Sequence, residues 1–264
     1  MDLLKDSYNS SSEESDVNSE ENELPIIPTE ILNKYHIAPS TNTESNTMNY
    51  KSSLTTKIWN TFIYLEWRPN MKDRRTLDKL LDYYSGVMNQ NGIHLKVEPL
   101  YWSDLGSPYP LHISLSPNIR IKDIIDRDKL FHRIESKLDK SHLKPFEVKF
   151  GNVPMCIRSM TNPKSCFFTL PIDTTTQVGP ITDLVKIIEE SKKGLNLETS
   201  FDLNISMTHM SIGQLNPGNG VTLDMSAINQ IIQHSISNCD IPKVCINSIN
   251  VDKNRQSLSI RFPE

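Results

Sequence analysis

The tripeptide His-x-Ser occurs twice between apolar residues, and this repeat limits the fold more than any other feature. Residues 111–117 read Leu-His-Ile-Ser-Leu-Ser-Pro, and residues 208–213 read Thr-His-Met-Ser-Ile-Gly. In a β-strand, residues i and i+2 face the same side. His112 and Ser114 therefore share one face, and Ile113 and Leu115 turn to the other. His209 and Ser211 do the same, with Met210 and Ile212 turned inward. The histidines are 97 residues apart, too far to form one local motif. They read as equivalent positions in two halves of one fold.

The flanking pattern repeats as well. In the first half, β-formers over Lys57–Trp67 predict a strand. Leu77, Leu80, Leu81, Tyr84, Val87 and Met88 predict a helix over Lys72–Asn91, stopped at Asn91-Gly92. A short strand over Ile93–Leu100 and a Pro- and Gly-marked loop over Tyr101–Pro110 lead into the first His-x-Ser strand. An amphipathic helix over Asp123–Leu138 follows, then strands at Phe146–Phe150 and Pro154–Ile157 around a turn at Gly151-Asn152. The second half runs through a strand at Cys166–Ile172, a helix at Ile181–Lys192 and a polar loop to the second His-x-Ser strand. It ends with a helix at Asp224–Ser237 and strands at Ile241–Val251 and Ser257–Phe262. The order strand, helix, His-x-Ser strand, helix, two strands thus occurs twice, in pattern rather than identity. A pseudo-twofold would bring both His-x-Ser strands to one central groove.

Charge separates the body from a tail. Residues 1–50 hold 10 Asp and Glu against 2 Lys and Arg, a net of −8. The whole chain is −4, so residues 51–264 carry +4, a weakly basic body compatible with nucleic acid. The stretch Ser10–Glu23 is too polar to offset its ordering entropy and reads as disordered. Leu24–Tyr35 carries enough Ile and Leu to dock or form a short helix. The expected division is a tail over 1–50 and a catalytic domain over 51–264, with lobes near 57–160 and 161–264. Asp2, Lys5 and Asp6 interrupt any apolar leader, and no segment approaches the ~20 apolar residues of a membrane span. Cys156, Cys166, Cys239 and Cys245 show no metal-binding spacing, so free thiols in a reduced compartment are expected, with Cys156 and Cys166 buried.

Two histidines and two serines facing one groove suit metal-free acid–base chemistry on a phosphodiester. Imidazole has an unperturbed pKa of ~6.5, so one ring accepts a proton while the other donates one. The hydroxyls and an imidazolium hydrogen-bond the non-bridging oxygens. The serines are poor candidates for nucleophiles, because there is no Gly-x-Ser-x-Gly elbow and no acidic partner. A metal site lacks Asp, Glu or Cys ligands beside either histidine. His36, His94, His132, His142 and His234 read as surface or core positions.

This arrangement resembles the 2H phosphoesterase superfamily, named for two His-x-Ser/Thr motifs, and within it the Usb1 family of U6 small nuclear RNA phosphodiesterases. The likeness spans residues 57–262. It rests on Thr61-Phe62-Ile63-Tyr64-Leu65-Glu66, on Pro99-Leu100-Tyr101 with Leu111–Ser116, and on His209-Met210-Ser211-Ile212-Gly213. It implies a bilobal α+β fold, two antiparallel sheets lining a central groove with helices outside. It implies His112 and His209 as catalytic residues and Ser114 and Ser211 as phosphate ligands, without cofactor or metal. The implied reaction trims the 3′ oligouridine end of U6 RNA in the nucleus. The 2′-OH attacks the adjacent phosphorus, the terminal residue leaves, and a 2′,3′-cyclic phosphate remains, which some members then open with water. A monomer with no membrane association is expected. The sequence assigns neither histidine to the base role.

One departure concerns the base. The family carries an aromatic shortly before the second motif, and residues 202–208 contain none. Phe201, Tyr101 and Tyr109 are the candidates to stack on it, an interaction worth ~1–3 kcal/mol. Two other readings compete. One is a 2H enzyme acting only on cyclic-phosphate RNA ends or cyclic nucleotides. The other is a non-catalytic RNA-binding or spliceosome-assembly protein, which four intact motif residues argue against.

Overall fold

The computed structural model describes residues 58–159, 162, 165–199, 203–215, 217, 223–253 and 256–263. The expected tail over 1–50, its segment Leu24–Tyr35, and Phe201 lie outside them.

The chain opens with β1 (Trp59–Trp67), whose Ile63 and Leu65 are fully buried, as are Leu77, Leu80, Leu81, Tyr84 and Met88 of α1 (Met71–Gln90). Full burial of one such side chain stabilises by roughly 1.5–3 kcal/mol, so this helix stripe is held by packing rather than propensity. The Asn70 side chain caps α1 by accepting from the Asp73 N–H. Gly92, at φ +79°, takes the left-handed position just past its end. Then come β2 (Val97–Pro99), β3 (Leu111–Ser114), β4 (Ile119–Ile121) and α2 (Ile124–Asp139), the last capped by Asp123. β5 (Phe146–Val148) and β6 (Met155–Arg158) close the first half.

The second half runs β7 (Cys166–Pro171), a kinked turn over Thr174–Ile181, α3 (Thr182–Lys192), β8 (Leu197–Thr199) and β9 (His209–Leu215). It ends with α4 (Met225–Gln233), capped by Asp224, then β10 (Val244–Ile246), β11 (Ser248–Lys253) and β12 (Gln256–Arg261). The protein is a mixed α+β molecule with four helices, a large antiparallel sheet and a small second sheet among the described residues. No helix among them is long and apolar enough to cross a membrane.

The ten-stranded sheet runs β12-β11-β1-β3-β9-β7-β6, with β2 joined to β9 and β4 joined to both β1 and β8. The sequence suggested two sheets facing a groove. Instead, the His-x-Ser strands pair with each other through Ile113 and Met210, which fuses the ladders of the two halves into one. The halves also interleave. β11 of the second half pairs with β1, β6 of the first half pairs with β7, and β5 pairs with β10 to make the two-stranded sheet. β5 and β6 are therefore not partners across Gly151-Asn152. The Gly151 N–H donates to the Pro171 carbonyl, and Phe150 bridges to Ile172, so the chain between them is spliced onto the end of β7. β4 and β8 are additions to the sequence reading, three residues each and too short to show a period. The expected strand Ile241–Val251 breaks at Asn247 and enters both sheets.

The helices pair across the halves. α1 meets α4, and the Tyr84 hydroxyl donates to the Ser235 carbonyl (3.0 Å) just beyond α4. α2 meets α3, where Lys137 pairs with Glu190 at 2.8 Å and Arg133 donates to the Lys193 carbonyl.

Gly213 follows the second motif and lies opposite Pro99 of β2. A Cβ there would lie 2.5 Å from Val97 Cγ1 and 3.3 Å from both the Glu98 carbonyl oxygen and Leu81 Cδ2. Its bare backbone is what lets β2 and α1 close on β9. Gly213→Ala is expected to lower stability by about 1–3 kcal/mol, as overpacking does, read as an earlier urea midpoint. An unchanged midpoint would show that β2 gives way freely.

Candidate active site

The four motif residues come together through one backbone pairing. β3 and β9 are antiparallel with Ile113 opposite Met210, and both of these side chains are fully buried. Continuing that register by one residue each way sets His112 across from Ser211 and Ser114 across from His209. Directly opposed Cβ atoms in such a ladder are about 4.5–5.5 Å apart, and diagonal ones about 7–8 Å. Each histidine thus neighbours a serine of the other strand. The two imidazoles lie on a diagonal of that ladder. All four side chains are partly exposed, whereas Ile113, Leu115, Met210 and Ile212 are not. The alternation read from the sequence holds on both strands.

The two imidazoles are held differently. His209 Nδ1 lies 2.7 Å from the Met207 carbonyl oxygen. A carbonyl only accepts, so Nδ1 carries the proton, and Nε2 is left to face a ligand. The short 3₁₀ turn Ile205–Met207, capped by Asn204, sets that carbonyl just before β9. His112 stands against aromatic rings instead. The Phe62 and Tyr64 rings are stacked at 5.2 Å, and the His112 ring meets them nearly perpendicular, at 89° and 5.5 Å to Phe62 and 74° and 5.9 Å to Tyr64. The Tyr64 hydroxyl is hydrogen-bonded to the Ser257 hydroxyl at 2.8 Å. Across β1, His112 pairs with Glu66 and Ser114 pairs with Tyr64.

Burial dominates the electrostatics. It pulls His112 down from 6.5 to about 4, with a smaller contribution from the neighbouring His209. His209 is also lowered by burial, opposed by the Met207 carbonyl, which favours the charged ring. Both shifts favour the neutral ring at pH 7.

The remaining candidates fare unequally. Tyr101 does not fit a stacking role. Its ring is fully buried and its hydroxyl donates to Asp78 Oδ1 at 2.7 Å, which makes it a core residue tying the loop before β3 to α1. Tyr109 is partly exposed two residues before β3 and stays available. His94, His132, His142 and His234 are exposed, His132 on α2, His234 just past α4, and the other two in connecting segments. Cys156 and Cys166 are buried free thiols. No cluster of three or more His, Cys, Asp or Glu side chains suited to a metal occurs among the described residues.

Phe62 and Tyr64 escaped the sequence reading as neighbours of His112. Their period-two spacing put them on one face of β1, but nothing local placed β1 beside β3. The Met207 carbonyl is main chain and leaves no mark on residue type.

Comparison with known proteins bears on the whole arrangement. The HVSL family model, described as an uncharacterised conserved protein, matches residues 25–261. No curated protein matches the sequence significantly. Among solved structures, Kluyveromyces marxianus Usb1 superposes with a TM-score of 0.64 at 16% identity, covering 77% of this chain and 98% of that one. The same yeast protein with uridine monophosphate gives 0.63 at 15% identity, with 77% and 98% covered.

The burial of neutral His112 makes stability depend on pH. Above 6.5 neither the folded nor the unfolded chain protonates this ring. As pH falls from 6.5 towards 4, the unfolded chain takes up a proton that the folded chain refuses, so stability is lost across that window. The loss attributable to His112 is at most about 3 kcal/mol. Urea unfolding at several pH values is expected to show a shallower acid loss in His112→Asn than in the native chain. Parallel curves would mean that the ring protonates freely when folded.

Proposed function

The chain belongs to the HVSL family, which is the Usb1-type family, and from that membership we propose that it is a metal-independent 3′–5′ RNA phosphodiesterase trimming the oligouridine end of U6 small nuclear RNA. The observation that carries the reading is the β3–β9 pairing, which gathers two imidazoles and two hydroxyls on one face. The yeast relative's structure with uridine monophosphate supports a uridine-bearing ligand for this fold. The activity is assigned to residues 51–264, acting as a monomer in the nucleus, with residues 1–50 as a tail.

In the proposed reaction, the scissile phosphate sits between the imidazoles, and Ser114 and Ser211 donate to its non-bridging oxygens. His112, strongly biased to the neutral form, takes the proton from the 2′-OH of the penultimate ribose. The freed oxygen attacks phosphorus and the bond to the 5′ oxygen breaks. His209 gives a proton to that oxygen, and the terminal nucleoside leaves with a 5′-hydroxyl. A 2′,3′-cyclic phosphate remains. Two features suit His209 to the acid role. The Met207 carbonyl stabilises its protonated form, and the arriving phosphodiester charge raises its pKa. Opening the cyclic phosphate with water would reverse the roles.

The substrate tests the route. An oligouridine-ended RNA whose penultimate sugar is 2′-deoxy has no nucleophile at the scissile bond and is expected to resist cleavage. Trimming at the normal rate would mean that water attacks directly. Cleavage restricted to cyclic-phosphate ends would favour the narrower 2H activity. Full turnover in excess EDTA is expected, as is turnover by a chain beginning at Lys51.

The motif residues are tested directly. General acid–base help is worth about 10²–10⁴-fold per group, so His112→Ala and His209→Ala should each nearly abolish trimming. The double variant should be little worse than either single one, because the groups act as a unit. Ser114→Ala and Ser211→Ala should cost about 10²-fold, as a lost oxyanion donor does. Independent, multiplying losses would separate the two histidines into different steps.

A further inference from the structure

His209 has a carbonyl to set its ring plane, whereas no hydrogen bond holds the His112 ring among the described residues. A general base that rotates freely spends little time aimed at its proton, so His112 needs another restraint. We propose that Phe62 and Tyr64 are the positioning residues of His112, a packed aromatic wall doing for this ring what the Met207 carbonyl does for His209. The inference rests on the catalytic reading of His112 but concerns a different question, how the ring is held.

The geometry carries it. The two rings are parallel within 17°, and the imidazole is wedged at a steep angle against both. Rotation about the ring-bearing bond would drive the imidazole into one ring or lose contact with the other. The wall itself cannot swing away. Phe62 is 7% exposed and Tyr64 is fully buried. The Tyr64 hydroxyl is tied to Ser257 on β12, two strands from its own backbone. The wall also covers one side of the imidazole and so adds to the burial that, with the neighbouring His209, lowers its proton affinity.

Other groups share this face. On β1, Glu66 lies opposite His112 and is itself paired with Arg68 at 2.7 Å. On β11, Asp252 and Asn250 lie across from Phe62 and Tyr64. On β9 are His209 and Ser211. The charged groups of this set are present in every variant below, so changes in His112 behaviour report the aromatic wall.

The test follows the ring directly by nitrogen NMR of the full chain labelled at histidine, alongside steady-state kinetics on the oligouridine-ended RNA. Phe62→Leu keeps bulk and removes the flat ring. Tyr64→Phe keeps the ring and removes its tie to Ser257. In Phe62→Leu the His112 titration midpoint is expected to rise by about one pH unit, with His209 moving far less. The acidic limb of the rate profile should move up with it. The kcat should fall about tenfold or more while KM changes little, because misaim affects the chemical step rather than binding. Tyr64→Phe should shift the midpoint in the same direction by a smaller amount, and it serves alone if Phe62→Leu fails to fold. Unshifted His112 titration in a folded variant overturns the positioning role. A shifted titration in a protein that cleaves no RNA leaves that role standing and overturns the functional reading instead.

Discussion

The whole site depends on one contact between two strands. Ile113 and Met210 face each other across β3 and β9 and are sealed in the core. Because side chains alternate along a strand, this buried pair dictates what lies on the other face. A slip of one residue in either strand would send that strand's histidine inward and turn its apolar side chains to the opposite face. The core therefore holds the register on which the chemistry depends, and the burial of residues that touch no ligand bears on their neighbours that do.

Around that contact, the two halves reach similar ends by different means. His209 is restrained by a main-chain acceptor supplied by a capped turn, while His112 is restrained by packing. The difference is chemical as well as geometric. A carbonyl on Nδ1 favours the charged ring, and an apolar wall favours the neutral one. Burial lowers both rings, but only His209 has a carbonyl that opposes the shift, so two side chains of the same type on equivalent strands sit in different electrostatic surroundings.

Much of this was legible in the sequence, and the limits are physical. The His-x-Ser strands and the four helices were readable because hydrophobic period is a local property. What escaped was non-local. The two motif strands are partners in one sheet, and β5 and β10 leave it to pair with each other, but no stretch of sequence states who lies beside whom. Tyr101 illustrates the same limit. An aromatic in a polar loop looks exposed, but its hydroxyl donates to the Asp78 carboxylate on α1 and its ring is buried.

The interleaving of the halves bears on how such a chain is made. β1 lies between β3 and β11, and the Thr61 hydroxyl donates to the Asp252 carbonyl, 191 residues further along. As a ribosome releases the chain, the first strand waits with an open edge until β11 emerges. Contacts of such sequence separation form late, after most of the loop-closure entropy has been lost. The first motif can be synthesised early, yet its sheet is completed only once β11 and β12 have followed. A translation product truncated before β11 would hold His112 and Ser114 beside an incomplete sheet, and would expose a strand edge that invites aggregation.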